Sequence, residues 1–181
     1  MALFDKNTWY ILKHLHHSIA ASAAARIDNG EHLTPQAFLV SPAPAHDGQS
    51  GVHIAEVAAE FMDELVGHGR GHRALVKYLS DALQEGSLVQ RSIDREHGIQ
   101  ATYTVSVQET TLPNADSRPQ ARPALLVLIN GKNFTLPIFH LIENLGPRSR
   151  RCQLRSFPDM QEIEAVQHML QTGLQHSHTL H

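Results

Sequence analysis

Between Pro123 and Glu143 two apolar runs are joined by the dipeptide Asn130-Gly131. Asn-Gly between alternating apolar residues is the strongest short-range signal for a β-hairpin, because both residues tolerate the positive φ of a type I′ turn. A two-residue loop there sets Ile129 opposite Lys132, Val127 opposite Phe134 and Leu125 opposite Leu136. Side chains of a strand alternate between faces, and paired residues share a face. Leu125, Val127, Phe134 and Leu136 therefore form one apolar face, with Ile129 at its end. Leu126 and Leu128 share the opposite face with Asn133 and Thr135. Pro137 donates no ladder bond, so it belongs at a strand end or an edge.

The remaining segments follow from the spacing of apolar residues. Residues 7–27 have the helical spacing, with Trp9, Ile11, Leu12, Leu15, Ile19, Ala23 and Ile27 on one face. Asp5, Asn7 or Thr8 can cap its start, and Asn29-Gly30 closes it. His16 falls among the apolar residues, which predicts a core histidine held by a hydrogen bond. Gln36–Ser41 is a short strand. Ile54, Val57, Ala58, Phe61 and Leu65 predict a helix over 54–66, and a second runs from about His72 to Gln84, closed by Gly86. Ser87–Ile93 fits either a strand or a helix. Gln100–Glu109 alternates strictly and predicts a half-solvated antiparallel strand. Residues 110–122 read as a surface loop, 146–151 as a basic connector, and 156–173 as a last helix. Helices grouped against an antiparallel meander predict an α+β fold, with the Asn130-Gly131 hairpin in the sheet and about four helices around it. A single domain over 1–174 is expected, followed by a flexible histidine-rich tail over 175–181.

At 181 residues the chain is long enough for one domain with a real core. Its one cysteine, Cys152, excludes an internal disulfide. No run of 18 apolar residues exists, so no spanning helix is expected. Lys13, His14, His16 and His17 interrupt the stretch where a signal peptide would carry its apolar core. The expected location is the cytoplasm, with no membrane partner. Charge is unevenly spread: residues 110–156 carry 7 Lys/Arg against 2 Asp/Glu. A basic middle in an otherwise acidic chain suggests an anionic partner or an acidic neighbour in the same fold.

Fourteen histidines raise the question of metal. Glu60, Glu64, His68 and His72 are spaced by four and would line one face of a continuous helix, so Glu64, His68 and His72 are the candidate zinc ligands. Gly67, Gly69 and Gly71 interrupt that helix and favour a turn. His14 and His17 alone are too few ligands for a site. Arg70, Arg73 and Lys77 surround a helix N-terminus, where free N–H groups attract anions. The lysine and hydroxyl residue of a phosphate-binding loop are absent from this turn. Arg148, Arg150, Arg151 and Arg155 form the densest basic cluster. Nucleic acid would use such residues for phosphates, although no aromatics are interleaved for base stacking. The simpler reading solvates these arginines and pairs them with Asp159, Glu162 and Glu164. Cys152 among them would carry a lowered pKa if exposed. Gly48-Gln49-Ser50-Gly51 lacks the residue between serine and glycine that a nucleophile elbow needs.

A well-patterned fold without a catalytic constellation points to a non-enzymatic module that binds or assembles with a protein partner. The alternatives are a zinc-dependent enzyme built on residues 60–72, and an anion or nucleic-acid binder using the Arg148–Arg155 cluster.

Overall fold

The computed structural model describes residues 5–43, 51–67, 71–93, 98–112 and 121–177. Its elements run α1 (Lys6–Asp28), β1 (Gln36–Pro42), β2 (Val52–Glu56), α2 (Ala59–Val66), α3 (Gly71–Ala82), β3 (Tyr103–Leu112), β4 (Arg122–Gly131), β5 (Phe134–Gly146), β6 (Ser149–Gln153) and α4 (Met160–Ser177). The strands form one sheet in the order β2-β1-β3-β4-β5-β6. The α+β class, the antiparallel sheet and the four helices match the sequence expectation. The chain divides into two compact units: Met1–Leu33, Glu109–Val127 and Phe134–His181 in one, Thr34–Gln108 and Leu128–Asn133 in the other.

In the first unit, α1 begins where the Thr8 N–H donates to Asp5 Oδ1 at 2.7 Å. It ends at Asn29, followed by Gly30 at φ +85°, a conformation that side chains disfavour. Its buried face holds Leu12, Leu15, His16, Ile19, Ala20, Ala23, Ala24 and Ile27. This face packs on β6, and α4 packs on β5. A capping box starts α4: the Glu162 N–H donates to Asp159 Oδ1 at 2.8 Å, and the Asp159 N–H donates to Glu162 Oε2 at 3.0 Å. Helix α4 continues through Ser177, beyond the 156–173 expected for the last helix, while His178 and His181 lie outside the described residues.

The central hairpin forms, but its turn occupies Lys132-Asn133. Asn130 and Gly131 close β4 instead, so the expected pairing of Ile129 with Lys132 is lost: β4 runs two residues further, to Gly131, and β5 begins two residues later, at Phe134. Moving both ends by two preserves which residues share a face. Leu125, Val127, Ile129 and Leu136 are accordingly buried, as the pattern requires, whereas Phe134 beside the turn is half-buried.

Pro137 sits inside β5, where β6 does not reach, because that pairing spans Leu141–Gly146. At Thr135 the Gln167 side chain from α4 takes a strand's place. Its Oε1 accepts the Thr135 N–H at 3.4 Å and its Nε2 donates to the Thr135 carbonyl. Main-chain groups alternate in direction along a strand, so Pro137 turns its hydrogen-free nitrogen to this same unpaired side.

The residues expected as a basic connector instead make a second hairpin. Strand β6 pairs with β5, setting Ile142 opposite Cys152 and Glu143 opposite Arg151, with an irregularity between Asn144 and Gly146. Cys152 is its one buried residue, and Arg150 on the same face is charged, so apolar alternation carries no signal for it.

In the second unit, residues 54–56 are strand rather than helix. Strand β2 pairs Val40 with Ile54 and Leu39 with Ala55. Helix α2 starts only at Ala59. It packs against α3 around Met62, Leu75, Tyr78, Leu79 and Ala82, over Ala37 and Leu39 of β1. Phe61 meets Tyr78 edge to face, with ring centroids 5.4 Å apart. The Tyr78 hydroxyl donates to the Gln90 carbonyl at 2.6 Å, and burial pushes its pKa up to about 12. Gly67 ends α2 where a Cβ would lie 2.3 Å from the Asp63 carbonyl oxygen, so only glycine closes this turn without a shift. Val89 forms a lone bridge with Ile99, which resolves the ambiguous 87–93 segment as extended chain at that point.

Candidate functional site

Helix α1 carries His16 on its buried face, and β5 carries His140 at the same parity as the buried Leu136, Ile138 and Ile142. The two imidazoles meet with Nε2 to Nε2 at 3.1 Å, and both residues are at most 3% exposed. The Arg155 N–H donates to His140 Nδ1 at 2.9 Å. That bond fixes the protons. His140 accepts at Nδ1, so its own hydrogen sits on Nε2 and points at His16 Nε2, which must accept. His16 then holds its hydrogen on Nδ1. Both rings are neutral, and a further proton meets a donor on either ring.

Electrostatics agree with the geometry. Burial, then His140 and His17, push His16 down to about 4. Burial, then Arg155, pushes His140 down to about 4. The segment that supplies Arg155 also covers the pair. The Phe157 ring stands 5.4 Å from His16 and 6.0 Å from Trp9, and the Trp9 Nε1–H donates to the Pro158 carbonyl at 3.1 Å.

A second cluster surrounds Arg150. Its guanidinium forms a two-point ion pair with Glu109 of β3 and also donates to the Glu31 carbonyl at 2.9 Å. Glu109 further accepts the Leu33 N–H at 2.8 Å. Burial alone would raise the Glu109 pKa, but the hydrogen bonds from Arg150 and Leu33 hold it below the usual carboxylate range. Cys152 is buried, with its N–H donated to Asp28 Oδ1 at 2.7 Å. Burial, reinforced by Asp28, pushes its thiol up to about 11, the reverse of the lowered value expected for an exposed thiol.

The four arginines of the presumed basic cluster thus have separate settings. Arg148 lies exposed in the β5–β6 turn and Arg151 lies exposed opposite Glu143. Arg150 is only 10% exposed along its side chain, which corrects the expectation of a solvated residue, and its acid is Glu109 rather than one on the last helix. Arg155 does pair with α4, 3.7 Å from Glu162. Arg73 and Lys77 share an exposed face of α3, where Lys77 meets Asp81 at 2.5 Å. Of the zinc candidates, Glu64 is exposed on α2, His68 lies outside the described residues, and His72 is described only as backbone of α3. Arg70 also lies outside them. Among the described residues, no group of three His, Cys, Asp or Glu converges on a point.

The remaining feature is an edge. Strand β2 ends the sheet and pairs only with β1 among the described residues. The Ala43 N–H donates to the Gly51 carbonyl at 3.0 Å and the Val57 N–H to the Ala37 carbonyl at 2.8 Å. Residues 51, 53, 55 and 57 therefore address β1. By alternation, Val52, Ile54 and Glu56 turn their main-chain groups outward. Val52 and Ile54 are also 37% and 41% exposed. Native edges are commonly blunted by Lys, Pro or a bulge, and the β2 sequence Val-His-Ile-Ala-Glu has neither Lys nor Pro.

The chain matches no family model, no curated protein and no solved structure. Among the described residues, no helix is long and apolar enough to cross a membrane.

Proposed function

We propose that this protein is a non-enzymatic binding or assembly module of the cytoplasm, and that its docking surface is the outer edge of β2. An extended segment of a protein partner adds there as a further antiparallel strand, its main chain meeting Val52, Ile54 and Glu56. The observation that carries this reading is the outward main chain of β2 together with the exposed Val52 and Ile54 side chains. Charge indicates the partner's chemistry. Glu56 stands exposed at the strand's end, held at 2.9 Å by Gln36 Nε2, and residues 1–109 carry 13 acidic against 8 basic side chains. The complementary segment alternates apolar residues with a Lys or Arg opposite Glu56. A second copy of β2 offers no cation for that position.

A photo-crosslinking amino acid at position 54 tests the proposal in cells. Adducts mapping to an extended, basic and apolar segment of one partner support it. Ile54→Pro removes an outward donor and leaves the β1 ladder intact, so it should abolish the adduct formed from position 52 without altering the melting temperature. Adducts that persist in the Ile54→Pro protein would overturn the strand-addition reading.

A further inference from the structure

We propose that residues 154–159 form an acid-sensitive latch, in which one proton taken up by the His16–His140 pair releases this segment from α1 and uncovers Trp9 and Phe157. The geometry leaves the proton no accommodated place. On His140 Nδ1 it would confront the Arg155 N–H, now 2.9 Å away. On His16 Nε2 it would confront the hydrogen that His140 points across 3.1 Å. Both contacts become donor against donor, and the imidazolium would remain buried.

Among the described residues, the segment has few other ties that would hold it closed. Among the described residues its contacts with α1 are the Trp9–Pro158 hydrogen bond, the edge-on approach of Phe157 to Trp9 and its tilted contact with His16. Leu154 is 45% exposed. The charged groups around the pair oppose the added proton. On α1 these are His17 and Lys13, the latter 4.8 Å from the Trp9 ring. In the segment it is Arg155, whose charge is partly met by Glu162 of α4 at 3.7 Å. On β5 and β6, Glu143 and Arg151 lie opposite each other and cancel.

The direction with pH follows. Both closed-state values lie near 4, below the ordinary histidine value of 6.5. Release returns the rings to solvent and to that ordinary value, so the open form binds more protons between the two. The latch is complete above about pH 6.5 and is lost as pH falls toward 4.

Trp9 is the only tryptophan in the chain, so tryptophan emission has a single source, beside the latch. The test records Trp9 emission, acrylamide quenching and far-UV circular dichroism from pH 7.5 to 4. Quenching of Trp9 should rise at least twofold at a higher pH than any loss of ellipticity. Hydrogen exchange should quicken in residues 154–159 before it does in α1 or β5. A single transition shared by fluorescence and ellipticity would overturn the latch, since it would mean global acid unfolding. His140→Asn keeps an acceptor near Nδ1 but does not titrate, and should remove the early Trp9 transition. Its survival in that variant would also overturn the proposal. Should His140→Asn fail to fold, His16→Gln provides the same comparison. Nitrogen-15 chemical shifts of the wild-type imidazoles then check the assigned tautomers independently, and hydrogen on His140 Nδ1 at pH 7.5 would contradict them.

Discussion

Thr104 is fully buried in β3, and its Oγ1 lacks a hydrogen-bond partner among the described residues. A buried hydroxyl without a partner costs roughly 1–3 kcal/mol relative to its place in water. Valine has nearly the same shape without the hydroxyl. Thr104→Val should therefore stabilise the protein by about 1 kcal/mol, seen as a higher urea midpoint with an unchanged slope. Arg150 represents the opposite case. Its ion pair with Glu109 is largely out of water, so Glu109→Ala strands a buried guanidinium and should cost about 3 kcal/mol. Adding Arg150→Met should recover part of that loss, because the uncompensated charge then disappears. Arg148→Gln and Arg151→Gln, both in solvent, should each change stability by less than about 1 kcal/mol. A uniform response across these arginines would refute the separate settings assigned to them.

At the scale of elements, the central hairpin gives the clearest comparison. Leu136 is 1% exposed and Phe134 is half-buried. Leu136→Ala should cost about 2–5 kcal/mol, while Phe134→Ala should fall below the roughly 3–5 kcal/mol typical of a core phenylalanine. Urea titration of both variants ranks them, and the reverse order would mean that the ladder is slipped by one residue. What the sequence disclosed depended on whether the signal was local. Helix α1 was legible to within a residue, because its apolar stripe, Asp5 cap and Asn29-Gly30 stop all lie within one segment. Strand β2 was hidden because Ile54, Val57, Phe61 and Leu65 match helical spacing by accident, although the first belongs to a strand and the last two to a helix. Strand β6 was hidden because its inner face pairs the buried Cys152 with the charged Arg150, which shows no apolar alternation. The site was half legible. His16 stood out as a polar residue on an apolar face, and His140 shares the parity of its buried neighbours. Their meeting is a contact between residues 124 apart, which no local pattern encodes.

At the scale of the whole molecule, charge that looked segregated along the chain is partly neutralised in space. The basic stretch from 110 to 156 meets acid from distant segments: Lys132 lies 3.5 Å from Glu85, and Arg150 pairs with Glu109. Side chains also serve as strand partners. Gln167 occupies the main chain of Thr135, and Asp28 takes the Cys152 N–H of β6. These two residues answer backbone groups along the β5–β6 side, while among the described residues no further strand pairs with the outward side of β2. If partners dock by strand addition, the protein has a valence of one. It can terminate a row of strands contributed by others, but it cannot link two such rows, so its complexes should close at fixed stoichiometry instead of growing into fibres.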